Sequence, residues 1–442
     1  MKYDSIFIAN LSEIARPLAR LMDKKKAKFE IYEDHYLCDR FLFSDEKNKI
    51  LITPYLIDKD FFEFSKKIIR FDRLVNLSPR KISESVCESI IKDSSLFQKL
   101  VLIIQSNPKI NLISYSTTEE FTKLVNLFRK LGLIFETPEM PDQDREWTGP
   151  FFDSKAGFRQ SVYNLKGNFP EIPDGMICDG IIEVVAWGEY FLKKYGGCVI
   201  KSNRGLAGAG LKIIKIEQIK NNDIKGYLTN ILKENYWSKD LVIVEKYIES
   251  NKRISGGSPN IELKINGNGV ETLYFCGMRV SDEGVFRGIE VGRGAIPFHF
   301  QKRLRQSAIK FGQFLKSAGY KGFFEIDWVY GLDGKLYPIE ANLRRTGGTH
   351  VYETAKVLLG DDFQKKYYVT ATNIQAAPQL KNRSFVEVKN KLNDILYPIQ
   401  GRKKGIIITI YSYLKLGKLG YIVIGKDRKE TLEIEEVFLS RI

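Results

Sequence analysis

Histidine is scarce in this chain, with only His35, His299 and His350 among 442 residues. So few imidazoles leave no zinc set and argue against a His-based catalytic triad. Cysteine is sparse too. Cys38, Cys87, Cys178, Cys198 and Cys276 are odd in number, far apart and without a Cys-x-x-Cys pair, so reduced and partly buried thiols are expected. Long apolar runs are also missing. The longest, such as 405–414, are too short to cross a bilayer, and the opening MKYDSIFIAN lacks the basic-then-apolar pattern and cleavage site of a signal peptide. There is no internal repeat and no low-complexity tract. These absences predict a soluble, cytoplasmic protein with no membrane partner.

What is present supports large globular cores. Hydrophobic residues make up 43% of the chain, and its length suggests two or three domains or lobes. The formal net charge of +15 is compatible with nucleic acid or anionic small molecules. The basic residues are spread along the sequence, with brief clusters only at 24–26 and 402–404, so a generally basic surface is the preferred reading and nucleic acid is not the expected partner.

Residues 1 to about 136 alternate strand-like runs at 5–9, 50–53, 100–105 and 111–115 with helical stretches such as 118–131, which suggests an open α/β domain. The segment 137–150, rich in proline and acidic residues, reads as a linker. Beyond it, helices are expected at 155–165, 180–194, 226–234 and 303–317, and strands at 197–201, 211–216, 241–248, 261–265 and 271–280. A polar, glycine-rich stretch then runs through Gly294. The tail from about 355 reads as a helix, a low-pattern segment, a strand at 405–411 and a final βα-like stretch.

Residues 322–350, GFFEIDWVYGLDGKLYPIEANLRRTGGTH, read as a β-hairpin with one chemical face. With Asp333-Gly334 as a two-residue turn, Asp327 falls opposite Glu340 and Glu325 opposite Asn342, and Arg344 follows on the same face. The reverse face is apolar, carrying Phe324, Ile326, Trp328 and Tyr330 against Tyr337, Ile339, Ala341 and Leu343. A simple solvated face is the alternative. Like charges across a ladder are destabilising, so Asp327 facing Glu340 asks for a cation. Carboxylate and amide oxygens suit Mg²⁺, which takes one or two carboxylates plus substrate phosphates.

Two weaker signals precede the hairpin. In CVIKSNRGLAGAGLKII, Lys201 ends a strand and Gly205, Gly208 and Gly210 follow in a short connection whose amides can approach phosphate oxygens. A strand follows instead of a helix, and the Gly-Lys-Ser/Thr ending is missing, so neither a Rossmann turn nor a Walker A loop fits. A flexible hairpin closing over a nucleotide is one reading and an ordinary glycine-rich hairpin the other. The strand LVIVEKYIE ends in Glu245, Lys246, Tyr247 and Ile248, where backbone groups can meet an adenine edge, with Glu249 near the ribose.

Taken in order, these segments resemble the ATP-grasp superfamily of carboxylate-amine and related ligases over about residues 150–350. DSKAGF carries Lys155 at the place of the upstream ATP lysine, and CVIK carries Lys201 at the second phosphate lysine. The loop 205–210 resembles the glycine-rich lid, and VEKYIE the adenine hinge. Asp327, Glu340 and Asn342 stand at the magnesium-ligand positions and Arg344 at the catalytic arginine. NLRRTGGTH and GKLGYIVIG are most similar to the pheganomycin-type peptide ligases, although Arg345 and Thr346 intervene in the first and one threonine is absent.

The resemblance implies an α/β class: an α+β ATP-grasp core with an N-terminal open α/β pre-ATP-grasp domain at 1–150. The ATP-grasp domain would occupy 151–354, with its lid lobe at about 155–240 and core lobe at 241–354, and 355–442 would be a C-terminal α/β extension packed on the core. It implies ATP and Mg²⁺, with Mn²⁺ as an alternative metal, and small-molecule carboxylate and amine substrates, amino acid or peptide, joined through an acylphosphate. Arg279, Arg287 and Arg293, in a neighbourhood made mobile by Gly284, Gly288, Gly292 and Gly294, are the candidates for gripping a substrate carboxylate. A homodimer is one candidate assembly. Rival functions are a bicarbonate-using carboxylase, a non-catalytic nucleotide-binding regulator and a basic nucleic-acid-binding protein.

Overall fold

The computed structural model describes residues 2–165, 167, 169–205, 208–220 and 223–442. Ser5–Ile8 (β1), Asn48–Ile52 (β2), Arg73–Leu77 (β3) and Asn111–Ser114 (β4) form a parallel sheet in the order β3-β2-β1-β4. The sequences SIFI and NKILI are almost wholly buried, as the centre of a sheet covered by helices on both faces requires. Helix Glu119–Lys130 starts where the Thr118 hydroxyl accepts the Phe121 N–H at 3.1 Å, with Glu119 and Glu120 in its first turn and Arg129 and Lys130 in its last, each suited to the helix dipole.

A second, antiparallel sheet contains Gly175–Cys178 (β5), Gly197–Ser202 (β6), Leu211–Lys215 (β7) and Val242–Lys246 (β8), in the order β5-β8-β6-β7. The large sheet has eight strands: Pro259–Asn266 (β9), Gly269–Val280 (β10), Phe286–Gly292 (β11), Gly322–Tyr330 (β12), Leu336–Asn342 (β13), Tyr368–Ala376 (β14), Gly405–Ile410 (β15) and Lys418–Gly425 (β16). Their order is β13-β12-β9-β10-β11-β14-β16-β15. The tail therefore supplies three strands of the same hydrogen-bonded sheet that holds the hairpin. Helix Phe298–Ser317 covers the hairpin side of this sheet by burying Phe300, Leu304, Ala308, Phe311 and Leu315 against Phe324 and Ile326.

Several expectations change. The run at 100–105 is helical, inside Ser94–Ser106, not a strand. The Asp93 carboxylate caps the helix start, and Leu96, Leu100 and Ile104 recur at helical spacing on the buried side while Leu102 is exposed. The glycine-rich stretch is not uniformly mobile, because Gly288 and Gly292 lie within β11. A Cβ at Gly288 would stand 1.8 Å from the Ala371 carbonyl oxygen, and one at Gly292 2.3 Å from that of Tyr367. These glycines let β11 lie close against β14. The strand at 242–246 belongs to the small sheet, between β5 and β6, so that sheet extends past residue 240.

The hairpin turn also differs. Gly331 bonds Lys335 across a three-residue loop, and a bulge beside Asp327 restores the expected register at Asp327–Glu340 and Glu325–Asn342. Between turn and bulge the faces of β13 exchange. Leu336 joins the apolar cluster under the hairpin, whereas Tyr337 is buried outside that cluster and its hydroxyl donates to Asp333 Oδ2 at 2.6 Å. All five cysteines are free and buried. Among the described residues no helix is long and apolar enough to cross a membrane.

The segment 137–150 is not a free tether. Glu139 is in the interior and accepts from Arg345 at 2.9 and 3.0 Å and from Lys264 at 2.8 Å. Arg345 also meets Glu353 at 2.8 Å and Glu46 at 3.2 Å, and its guanidinium lies over the rings of Phe7 and Phe323. Burial alone would raise the Glu46 and Glu139 carboxyls, but the Arg345 charge holds both below their usual range. One buried cation thus fastens the parallel sheet, the 137–150 segment and the end of the hairpin together. Arg345→Ala leaves three buried carboxylates without their shared partner and is expected to cost ~3–5 kcal/mol of unfolding free energy. Urea titration of the variant against the parent measures it, and a loss below about 1 kcal/mol would show that the cluster behaves like a surface pair.

Candidate active site

The pairing of β12 with β13 sets Asp327 directly opposite Glu340, and the pairing of β12 with β9 sets Asn260 on the other side of Asp327. Asn260 is fully buried, and its Nδ2 donates to Asp327 Oδ1 at 2.8 Å and to Glu325 Oε1 at 2.7 Å. Asn342 Nδ2 reaches Asp327 Oδ2 at 3.3 Å, while Asn342 Oδ1 accepts from Arg344 at 2.7 Å. Burial, and then the facing charge of Glu340, push the Asp327 carboxyl up to about 7, against the hydrogen bonds of Asn260 and Asn342 and the charge of Arg344. Glu325 is pushed well above the usual range by burial, by Asp327 and by Glu262.

Both expected lysines arrive at this hairpin. Lys155 opens the helix Lys155–Asn164, and its Nζ donates to Glu340 Oε1 at 3.1 Å and to the Gly205 carbonyl at 2.7 Å. Lys201, near the end of β6, donates to the Ile339 carbonyl at 3.2 Å and pairs with Glu245 at 2.6 Å. Glu245 is itself shared with Arg159 at 3.0 Å. Its carboxylate is therefore occupied by the chain's own cations.

Arg344 is buried. Asp153 accepts from its guanidinium and, at 2.6 Å, from the Leu343 N–H. Burial opposes the charged guanidinium, yet Asp153, Tyr115, Glu340 and Asp327 together hold it protonated. Asp153 and Lys155, two residues apart, thus touch opposite ends of the chemical segment of the hairpin.

In the glycine loop, Gly205, Gly208 and Gly210 are described, whereas Leu206 and Ala207 lie outside the described residues. Gly208 and Gly210 have φ of 93° and 74°, in the left-handed region that glycine adopts without strain. A Cβ at Gly208 would lie 3.1 Å from Val285, so this loop meets the connection between β10 and β11. At the hinge, the Lys246 N–H donates to the Asp174 carbonyl at 2.7 Å and the Tyr247 N–H to that of Gly197 at 3.2 Å. Among the described residues the Ile248 N–H has no hydrogen-bond partner. The Glu249 carbonyl accepts from Leu332 at 3.0 Å, which ties the hinge to the hairpin turn.

The three substrate arginines do not converge. The ladder pairs Phe275 with Ile261 and Gly277 with Pro259, placing Arg279 on the sheet face opposite Asn260 and Asp327. There it bonds Thr370 at 2.9 Å, Thr372 at 3.0 Å and Glu435 at 2.6 Å. Arg279 is therefore withdrawn from the substrate set, since strand alternation fixes its side. Arg287 and Arg293 are exposed. Sequence reasoning missed Asn260, Asp153 and Arg159. Asp153, two residues before Lys155, was the most findable of these, since a buried arginine needs a carboxylate partner.

The donor set fits a hard cation held jointly with phosphates. Two facing carboxylates and an amide oxygen are present, and among the described residues no group of three or more His, Cys, Asp or Glu is arranged to hold a metal alone. A folded-state pKa of about 7 for Asp327 means that the native state binds its proton more tightly than the unfolded chain, so this group's contribution to stability falls as pH rises from about 4 to 7. Without Mg²⁺, the parent should lose stability over that window relative to Asp327→Asn, and saturating Mg²⁺ with nucleotide should reverse the loss. Thermal unfolding of both chains across pH 5–8 measures the difference.

No family model matches the chain. A curated relative, the [butirosin acyl-carrier protein]–L-glutamate ligase of Niallia circulans, is 22% identical over 253 residues, or 57% of this chain and 55% of that relative. The chain thus matches about half the relative's length. Among solved structures, the biotin carboxylase–βγ-ATP complex from Campylobacter jejuni superposes with a TM-score of 0.59 at 16% identity, covering 99% of this chain and 91% of that one. The N5-carboxyaminoimidazole synthetase of Staphylococcus aureus, complexed with ADP, gives 0.55 at 10% identity, covering 98% and 96%. The biotin carboxylase domain of the Hydrogenobacter thermophilus 2-oxoglutarate carboxylase, with MgADP and bicarbonate, gives 0.53 at 15%, covering 97% and 87%. The chain thus has the fold of these ATP-grasp enzymes.

Proposed function

We propose that this chain is an ATP-dependent carboxylate-amine ligase that forms an amide or peptide bond and releases ADP and phosphate. The observation that carries this reading is the convergence on one hairpin of Asp327, Glu340, Asn342 and Arg344 with Lys155 and Lys201. Phosphoryl transfer depends on in-line positioning and charge neutralisation, and this set provides both kinds of group. A carboxylate oxygen of the first substrate attacks the γ-phosphorus of ATP, and the bond to the ADP oxygen breaks. The amine nitrogen of the second substrate then attacks the acyl carbon, phosphate leaves and the nitrogen loses a proton.

Lys155 and Lys201 bind phosphate oxygens in this reading, and Arg344 stabilises charge on the transferred phosphoryl group and on the acyl carbon's oxygen. Asp327, Glu340 and Asn342 would hold Mg²⁺, which when bound neutralises phosphate charge. The unpartnered Ile248 N–H offers a donor to the adenine edge, with the 245–249 segment forming the hinge. Gly205, Gly208 and Gly210 supply backbone close to the phosphates. Arg287 and Arg293 remain the carboxylate-gripping candidates because both are exposed, Arg287 beside the loop that meets Gly208 and Arg293 past the far end of β11.

The fold neighbours make bicarbonate the competing substrate, and the glutamate ligase relative adds carrier-bound acyl groups to amino acids and peptides as substrates to test. ADP release with Mg²⁺ and ATP, measured against glutamate, pooled amino acids, short peptides, an acylated carrier and bicarbonate, with mass spectrometry of the products, separates these outcomes. A condensed mass containing an amide supports the ligase, and bicarbonate-dependent ADP release with carboxylated product overturns it in favour of the carboxylase. Asp327→Asn and Glu340→Gln should each lower kcat by at least ~100-fold, a loss of roughly 3 kcal/mol in transition-state stabilisation, with an unchanged circular-dichroism spectrum. Full activity in either variant would remove the metal role.

A further inference from the structure

The parallel sheet has a cavity of about 740 Å³ that takes no part in the chemistry above. Its volume is in the range of small-molecule sites. Phe29, Ile31 and Tyr32 on helix Lys24–Tyr36 form one wall, and Tyr55, beyond the carboxyl end of β2, with Ile82, beyond that of β3, forms another. In open α/β sheets ligands bind outside the carboxyl ends of the strands. Arg344 lies by contrast near Tyr115, beyond β4 at the opposite edge of the β3-β2-β1-β4 order. At ~4.8 Å per strand, the cavity and Arg344 stand on the order of 10 Å or more apart.

Three features mark this cavity as built to receive something. Phe29, Tyr32 and Tyr55 are 54%, 41% and 36% exposed, a concentration of open aromatic surface. His35 lines the same cavity, is only 6% exposed, and neither ring nitrogen has a hydrogen-bond partner. Its ring nitrogens are shielded, and the ring joins the aromatic wall edge-on to Tyr55, with centroids 5.9 Å apart. Burial lowers its pKa to about 4, so at neutral pH it is an uncharged donor and acceptor. The rim is basic on balance. Asp23 is engaged in capping the helix and Lys26 pairs with Glu234 at 2.9 Å, whereas Lys25 and Lys28 have no carboxylate within ion-pair distance among the described residues. Glu84 stands on the far lip. The positive end of helix Lys24–Tyr36 adds to the potential on the lysine side.

We infer that this cavity is a second ligand site, taking a small molecule with a planar aromatic body and an anionic group. The ring stacks among Phe29, Tyr32 and Tyr55 with His35 at the back of the wall, and its anion lies towards Lys25 and Lys28. Anilinonaphthalene sulfonate has this chemistry, and its uncharged relative phenylnaphthylamine has the ring system alone.

Fluorescence titration of the full chain with both probes tests the assignment. One saturable anilinonaphthalene sulfonate site is expected. Its dissociation constant should rise about tenfold in Phe29→Ala or Tyr55→Ala, a shift of about 1.4 kcal/mol, and roughly fivefold in Lys25→Gln with Lys28→Gln, about 1 kcal/mol. Phenylnaphthylamine should bind more weakly than the sulfonate, and the lysine variant should remove that difference. Circular dichroism of each variant confirms that it folds. Sulfonate binding that is unchanged in the aromatic variants, or displaced by Mg-ATP, would overturn the assignment. So would sedimentation showing that a second copy of the chain covers the cavity and that the sulfonate does not bind the monomer. Because the titration requires neither ATP nor turnover, its failure is distinguishable from failure of the ligase reading.

Discussion

Asp327 and Glu340 face each other across a ladder, and much of the surrounding structure answers that repulsion. Two carboxylates on directly opposed strand positions are unfavourable without a cation. The chain supplies partial answers from four directions: the Asn260 amide from β9, Asn342 from β13, the Lys155 ammonium from the following layer and the Arg344 guanidinium from the end of the hairpin. None of these removes the strain altogether, because burial still keeps the Asp327 carboxyl high. Residual negative potential of this kind is what the proposed Mg²⁺ would neutralise.

The same contacts connect parts that are distant in sequence. Lys155 joins the glycine loop to Glu340, Lys201 joins β6 to β13, and Asp153 holds Arg344 and the Leu343 amide. A shift of the small sheet relative to the hairpin therefore acts on both lysines. Behind the site, Arg345 turns away from its neighbour Arg344 into the Glu46, Glu139 and Glu353 cluster. Two adjacent arginines thus do different work, one at the chemical face and one holding the sheets together.

Local pattern revealed the hairpin, its chemical face and both lysines, because period-two alternation and turn residues are properties of short segments. The bulge at Ile339 was not visible in that way, yet it compensates for the three-residue loop so that Asp327 still meets Glu340. Asn260 escaped notice because its role depends on β9 lying beside β12, a pairing of segments about 65 residues apart. The run at 100–105 was misread because a short apolar stretch has no period of its own, and the decisive signal was the Asp93 cap upstream. Gly288 and Gly292 looked like hinge residues in one dimension. Only the neighbouring β14 backbone shows that they are contact residues.

The lysine pairings carry one more consequence. Lys155 and Lys201 are not bare charges awaiting phosphate, since Glu340 and Glu245 already occupy them at 3.1 and 2.6 Å. In the proposed ligase an arriving polyphosphate would have to exchange with these internal anions, and the displaced Glu340 would be free to turn towards a metal. On that reading, nucleotide and metal would favour each other's binding through a single swap of partners. Paired in this way, the two lysines exert little electrostatic pull on unrelated anions.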